Sequence, residues 1–450
     1  MPADLETILN LKDVTWDIEE SGAVYSSPIV HNGVIYFSAD KRLYALDAKS
    51  GELKWEVLTG GSISPNPVIY NEIIYIGSYD KKMYAITTDG KELWRFMTGG
   101  KIFSTSAIIK GVVYFGSEDG YLYALKADSG ELIWRFRTGG PIASSPAIVN
   151  DSICFGSDDK FFYCISLDGR LKWRYRTGNF VFSSACITDE NFNEVWRYRG
   201  SNITSEYTTQ IENGYVYFGS ADNFLYCFTL NGELVWRFRS GNRVWSSPRV
   251  CQGAVYFGSD DGYLYKLDAK TGNLIWRFKT GFWVFGSPEV SDDKIYFGSD
   301  DRFFYIVDAK TGTSKWRFQT GGGVDSTPLI LNDIVYFGSW DSWFYAVSLE
   351  TFEVLWRFKA RHAETGLIFR VGEDKIKVDE FIPQLPSTST ETKLGYGERE
   401  SPLSRRNVTY GSSLGSSGSY NVEGRSGVSY AFATIGEALQ YAKTGRYVRK

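Results

Sequence analysis

The chain has 450 residues, 43% hydrophobic and 16% aromatic, with a formal net charge of −4. This composition suits a globular protein with a sizeable core, and the weak negative charge argues against bulk electrostatic binding to nucleic acid or an anionic membrane. No run approaches the roughly 18 apolar residues of a membrane-spanning helix.

In chain order, residues 1–13 ("MPADLETILNLKD") form a lead-in without the basic and apolar regions of an export signal, so a cytoplasmic location is expected. From residue 14 to about 360 one pattern repeats. "VYFGSDDGYLYKLDAKTGNLIWRF" (255–278) returns as "VYFGSEDGYLYALKADSGELIWRF" (113–136) and "IYFGSDDRFFYIVDAKTGTSKWRF" (295–318). The tryptophan of the closing "WRF" element falls at Trp55, Trp94, Trp134, Trp173, Trp236, Trp276, Trp316 and Trp356, at steps of 39 or 40 residues except between Trp173 and Trp236. A period near 40 marks stacked supersecondary units.

Each unit contains four short runs, such as "VWSSPRV", "AVYFGS", "YLYKLDA" and "LIWRF" in the unit ending at Trp276. In "ELIWRFR", Leu132, Trp134 and Phe136 alternate with Ile133, Arg135 and Arg137, the period of a strand. Glycine in "DDG" and "EDG" supplies the positive φ of a tight hairpin, and "AKTG" makes the next reversal. Four antiparallel strands repeated radially define an all-β fold, an eight-bladed β-propeller over 14–360. Residues 188–211, with Trp196 in "EVWRYRG", are expected to be an irregular insertion or the remnant of a partly deleted blade. Nine outer-strand candidates, counting Trp16, flank eight sets of inner strands. The run around Trp16 is therefore expected to pair into the last blade and close the ring, which removes an exposed edge.

Beyond Ala360 the repeat stops. Residues 361–385 are expected to add a β-hairpin. Residues 386–428 are rich in Ser, Gly and Pro and read as a flexible linker. Residues 429–450 are expected to form a short amphipathic helix with a basic end.

The elements "LDAKTGNLIWRF" (267–278) and "AVYFGSDDGYLYKLDA" (254–269) resemble the PQQ-type propeller repeat. That repeat occurs in quinoprotein dehydrogenases and in the propeller lipoprotein of outer-membrane assembly. The resemblance covers roughly 14–360 and rests on the recurrent Ala-x-x-Gly-x-x-x-Trp spacing. It implies that Trp55, Trp94, Trp134, Trp173, Trp236, Trp276, Trp316 and Trp356 each dock against a neighbouring blade. Quinoprotein dehydrogenases of this family hold their quinone with a vicinal Cys–Cys pair and a calcium site. No "CC" occurs here, so a quinone-dependent enzyme is not expected and no cofactor or metal is assigned. The lipoprotein's acylated cysteine has no counterpart at this N-terminus either.

Other chemistry is sparse. Cys154, Cys164, Cys186, Cys227 and Cys251 are odd in number and lie mostly in apolar runs, as buried reduced thiols do. His31 and His362 lack ligand-spaced partners, and "TGGG" at 320–323 lacks the Lys–Ser/Thr of a phosphate loop. The turn aspartates Asp40, Asp80, Asp119, Asp159, Asp222, Asp261, Asp301 and Asp341 recur in every unit, so a capping role is expected rather than calcium binding. The arginines after each tryptophan (Arg95, Arg135, Arg174, Arg237, Arg277, Arg317, Arg357) are expected to lie over aromatic neighbours.

Whatever every blade shares serves the fold, so function should lie where blades differ. Trp245, Trp283, Trp340 and Trp343 stand outside the "WRF" series, in connections or turns that emerge on one face of a propeller. The position of Trp245 holds Tyr25, Phe103, Phe182, Phe285 and Asp325 in other units, a variable and largely aromatic rim. These nine residues are the expected partner-binding set. The sequence thus points to a non-enzymatic scaffold that binds protein partners through its aromatic face and its tail. No membrane insertion is expected, and nucleic acid could concern only the basic tail. The alternative is a small-molecule or glycan sensor, or a cryptic enzyme, using the central funnel.

Overall fold

A computed structural model describes residues 22–196 and 211–360, together with the backbone of short strands at 367–370, 377–379, 420–423 and 429–432. Two compact units are distinguished, one spanning Glu20–Glu380 and one combining Met1–Glu19 with Phe381–Lys450. In the second unit the described residues form a two-stranded antiparallel hairpin, Tyr420–Glu423 against Ser429–Phe432. The helix expected from 429 therefore meets a strand at its start. The remaining residues of that expectation, like Trp16 and His362, lie outside the described residues.

The first unit is an eight-bladed propeller. The first blade runs from its inner to its outer strand as Ile29–His31, Val34–Ala39, Arg42–Asp47 and Leu53–Leu58. The eighth runs as Leu329–Leu331, Ile334–Gly338, Trp343–Ser348 and Val354–Lys359. All neighbours pair antiparallel. Second and third strands are covered on both faces by adjacent blades, so "AVYFG" (254–258) is buried throughout and reads as an unbroken apolar run. Outer strands such as "LIWRFK" (274–279) have one open face and alternate exposed with half-buried residues.

Three repeated contacts join the blades. The indole N–H of Trp94 donates to Ala127 O at 2.9 Å, that of Trp134 to Leu167 O at 3.1 Å and that of Trp236 to Ala269 O at 3.1 Å. Each ring lies flat over a positive-φ glycine of the next blade. A Cβ on Gly130 would come within 2.6 Å of the Trp94 ring. One blade departs from this rule. Phe352 stands where the glycine belongs, at φ 61°, and stacks on Trp316 at 5.1 Å.

The second contact is a chain of backbone N–H donors and side-chain oxygens passed from blade to blade. Ser27 donates to Asn66, Asn66 to Thr105, Thr105 to Ser145, Ser145 to Ser184, Ser184 to Ser247 and Ser247 to Ser287, at 2.6–3.0 Å. Thr327 N donates to Ser27 Oγ at 2.9 Å and carries the chain across the seam between the last blade and the first. In the third contact the connection into each blade bonds the blade before it, as Val284 N does Ser259 O. Val24 N repeats that bond to Ser339 O at the seam. Phe37 stacks on Phe344 at 4.2 Å there, and Trp356 is buried over Gly51.

The ring closes on these contacts, with all four strands of the eighth blade consecutive in sequence. The outer edge beside Val354–Lys359, expected to receive the run around Trp16, is taken by Leu367–Arg370, with Lys377–Asp379 beyond it. Leu367–Arg370 and Lys377–Asp379 thus form a fifth and sixth strand of the last blade.

The start of the stretch at 188–211 adds a strand to the fifth blade. Glu194–Trp196 is not an outer strand. It pairs with the inner strand of the fifth blade, Cys186–Asp189, and extends that sheet on its inner side. A partly buried ion group anchors it. Glu194 pairs with Arg249 of the sixth blade and accepts Val250 N at 2.7 Å, and Arg249 also lies 3.9 Å from Glu289 of the seventh. Arg249 and Glu289 occupy inner-strand positions that hold Ala107 and Ala147 in earlier blades.

Candidate functional site

In every blade the turn between second and third strands and the connection into the next blade emerge at one end of the ring, the upper face. Seven turn aspartates are consumed in building it. Asp301 accepts Gly281 N at 2.7 Å, Phe303 N at 3.0 Å and the Tyr305 hydroxyl at 2.7 Å. Asp80, Asp119, Asp159, Asp222, Asp261 and Asp341 take the same three donors in their own blades. Burial pushes the Asp80 carboxyl up, but its hydrogen bonds from Tyr84, Ser78, Lys82 and Gly60 outweigh that and hold it below its ordinary value. Asp40 differs because the first blade's turn is one residue shorter. Asp40 itself has φ 49°, and its carbonyl receives Ile63 N.

The arginines also have framework roles. Arg135 lies over Tyr121 at 4.3 Å, Arg277 over Tyr263 at 4.4 Å and Arg317 over Phe303 at 4.6 Å. Trp343 occupies this same position at the start of a third strand, with Arg357 at 4.3 Å and Lys359 at 4.9 Å from its ring. It therefore belongs to the shared framework and not to the differing set in which the sequence placed it.

The other candidates gather on the upper face. Phe103 meets Phe182 at 5.1 Å, Phe182 meets Trp245 at 5.1 Å, and Trp245 meets Phe285 at 6.1 Å. The third and fifth blades touch in this way because the fourth contributes only Ala143 at that position. Tyr79 and Phe180 extend the cluster. Trp245 is 6% exposed, so its indole is the cluster's core and not the open platform expected of it. Tyr25 and Trp340 form a second pair at the seam, 6.0 Å apart. Trp283 stacks on Phe282 at 4.9 Å, and Phe282 is 41% exposed.

Carboxylates that the sequence reading passed over stand among these rings. The residue before each turn aspartate varies between blades, and in the fourth, sixth and seventh it is Asp158, Asp260 and Asp300. Trp245 Nε1 donates to Asp260 Oδ2 at 2.8 Å, with Arg243 at 3.9 Å. Trp340 Nε1 donates to Asp325 Oδ2 at 3.0 Å. Asp300 and Asp325 interact with each other, and the Oδ1 atom of each is buried without a hydrogen-bond donor. Burial, followed by the charge of Asp325, drives the Asp300 carboxyl well above its usual range. Burial likewise raises Asp325, to about 6. The signal for this group was a doubled "DD", which occurs in the fourth, sixth and seventh blades.

Elsewhere the cysteines are free, four buried and Cys251 half-buried, with Cys154 and Cys164 directly opposite on adjacent strands. His31 bonds Glu72 at 2.7 Å at the end of an inner strand. No cluster of three or more metal-ligating side chains occurs among the described residues.

Eight four-stranded blades, joined through docked tryptophans and by side-chain oxygens passed from blade to blade, define an eight-bladed propeller of the PQQ-like repeat class. The family model described as outer membrane protein assembly factor BamB matches residues 10–101, 80–186, 185–297 and 283–389, and the chain belongs to that family. Among solved structures it is similar to BamB from Moraxella catarrhalis, at 17% identity and TM-score 0.56, over 70% of this chain and 91% of that one. It is similar also to quinohemoprotein alcohol dehydrogenase from Comamonas testosteroni, at 14% identity and TM-score 0.58, over 71% and 70% of the two chains. The computationally designed Ika8 protein matches at 14% identity and TM-score 0.60, over 73% and 98%. At these identities the likeness is one of fold. No curated protein sequence matches the chain.

Proposed function

We propose that this protein is a non-enzymatic interaction scaffold, a rigid ring that engages a protein partner through its upper face and joins a larger assembly through its C-terminal region. One observation carries the reading. The residues that blades share are used up within the fold, while those that differ collect on one face as aromatic rings and carboxylates. Large rings beside partly desolvated polar groups are what an interface centre uses. The family's description as an assembly factor agrees with this role.

The neighbouring dehydrogenases raise the question of a quinone. The rings that would sandwich a planar cofactor are already packed on one another around Trp245. These residues do not fit the group, and no step through it is derived.

The test is capture of a partner from cell extract at fixed stoichiometry by the full chain and by single variants. Trp283→Ala and Trp340→Ala should lower capture at least tenfold, a loss of about 1.4 kcal/mol, with the melting temperature unchanged. Unaltered capture by both variants would remove the upper face from the interface.

A further inference from the structure

The second and third strands of the fourth blade, Ser152–Gly156 and Phe161–Ser166, set Cys154 directly opposite Cys164. The other seven blades hold a tyrosine at the position of Cys154. Tyr75, Tyr217 and Tyr336 each donate that hydroxyl to a carbonyl of the next blade, at 2.9–3.1 Å. Cys154 instead donates its S–H to Cys164 Sγ at 2.9 Å, a weak bond that stays inside its own blade. Phe228 of the next blade shares the core around these sulfurs and accounts for the lost ring, since other blades carry Leu, Ile or Val at its position. A small residue of any kind would make that room. It does not explain a thiol on both sides of the pair, which no other blade has, Cys227 facing Tyr217.

We propose that Cys154 and Cys164 are a redox-modification site that takes a cross-strand disulfide by exchange with a disulfide oxidant. Directly opposed residues of an antiparallel pair have Cα atoms about 4.5–5.5 Å apart, inside the roughly 4.4–6.8 Å that a disulfide spans, so neither strand has to shift. One cysteine, as its thiolate, attacks the oxidant's S–S bond, which forms a mixed disulfide and releases one thiol. The second cysteine then displaces the other half and closes the Cys154–Cys164 bond. The two cysteines lose two protons and two electrons, and the oxidant leaves as two thiols that have gained them. Both sulfur residues are 1% exposed, and the bond to Cys164, followed by burial, holds the Cys154 thiol well above its ordinary range. Thiolate is therefore scarce in the finished ring. Exchange takes place while the hairpin forms, before the fifth blade covers it, and a completed bridge is shielded from reductant. The cysteines are ten residues apart, a short loop that closes readily, and the loop carries the upper-face turn at 157–160. The bridge thus fastens the base of that turn, and it stands or falls independently of the scaffold reading.

The test unfolds the full chain with reductant and refolds it in a buffer of oxidised and reduced glutathione. Remaining thiols are then blocked with iodoacetamide in denaturant, and the peptides are mapped by mass spectrometry. A linked peptide holding Cys154 and Cys164, lighter by two hydrogen atoms than its reduced parts, should exceed any other linked pair at least tenfold. Cys186, Cys227 and Cys251 should carry the blocking group. Dithiothreitol should reduce the bridge at least tenfold more slowly in the refolded protein than in denaturant. Cell-free synthesis of the chain in the same glutathione buffer, read on the soluble product, gives the same comparison without a refolding step. In Cys154→Ser, Cys164 should be blocked rather than linked elsewhere. Soluble chain with both Cys154 and Cys164 blocked overturns the proposal, as do bridges spread evenly over other pairs or a bridge reduced equally fast in folded and denatured protein.

Discussion

Asp300 and Asp301 are adjacent in sequence and opposite in fate. Asp301 receives three hydrogen bonds from two segments of backbone and a tyrosine, and six other blades repeat the arrangement. Asp300, one residue earlier, is desolvated beside a second aspartate with its Oδ1 left without a donor. The same side chain is a fastener at one position and a cost at the next. A propeller can tolerate such a cost because its framework is repeated, so the loss at one turn is borne by a ring of equivalent contacts. Groups that cost stability without serving the fold are where function is best sought.

Two substitutions sharpen this comparison. The larger effect should come from Asp301→Ala, which takes the shared acceptor from Gly281 N, Phe303 N and the Tyr305 hydroxyl. A loss of about 2–4 kcal/mol is expected, seen as a lower denaturant midpoint with an unchanged slope. Stability within half a kcal/mol of the unaltered protein would show that the turn aspartates are not fasteners.

The smaller effect, of opposite sign, belongs to Asp300→Asn. Raised carboxyl pKa values mean that the folded protein holds its proton where the unfolded chain, with aspartates ionising near 4, has already lost it. Stability from this pair is therefore highest at low pH and declines as pH rises from about 4 through about 6, the range to which Asp325 is raised, and beyond it for Asp300. Removing one charge should gain roughly 1 kcal/mol at pH 8 and nothing at pH 4, measured by melting at both values. Destabilisation at pH 8 would mean that Asp300 is a structural group after all.

The fold was legible because its signals are local and repeated. Strand alternation, turn glycines and the tryptophan period all recur about every 40 residues, and each survives exceptions such as Phe352. Ring closure was less legible, since it depends on small residues such as Ser27 and Thr327 whose partners lie a whole blade away. The place of the strand Glu194–Trp196 was not legible, because "EVWRY" resembles the outer-strand run while 188–211 read only as an irregular insertion or a blade remnant. Only the ion group with Arg249 and Glu289 places it on the inner side, and charges in an otherwise apolar inner strand were the available clue.

For the candidate site, variation between blades pointed to the correct face but not to the state of each ring. Trp245 is buried because Ala143 leaves room for rings from the third and fifth blades to meet, a fact that no single repeat contains. Trp343 looked exceptional as a residue type although its place under Arg357 is ordinary. Asp260 and Asp300 escaped notice because a doubled aspartate resembles the turn signal itself.

The central claim is that function resides on the face where the blades differ. The measurement that tests it most directly is a hydrogen-exchange footprint of the full chain with its captured partner. Protection is expected at 282–285, 323–325 and 339–341, with the outer strands unchanged. Protection confined to outer strands such as Leu274–Lys279, with those upper segments exchanging as in the free protein, would contradict it.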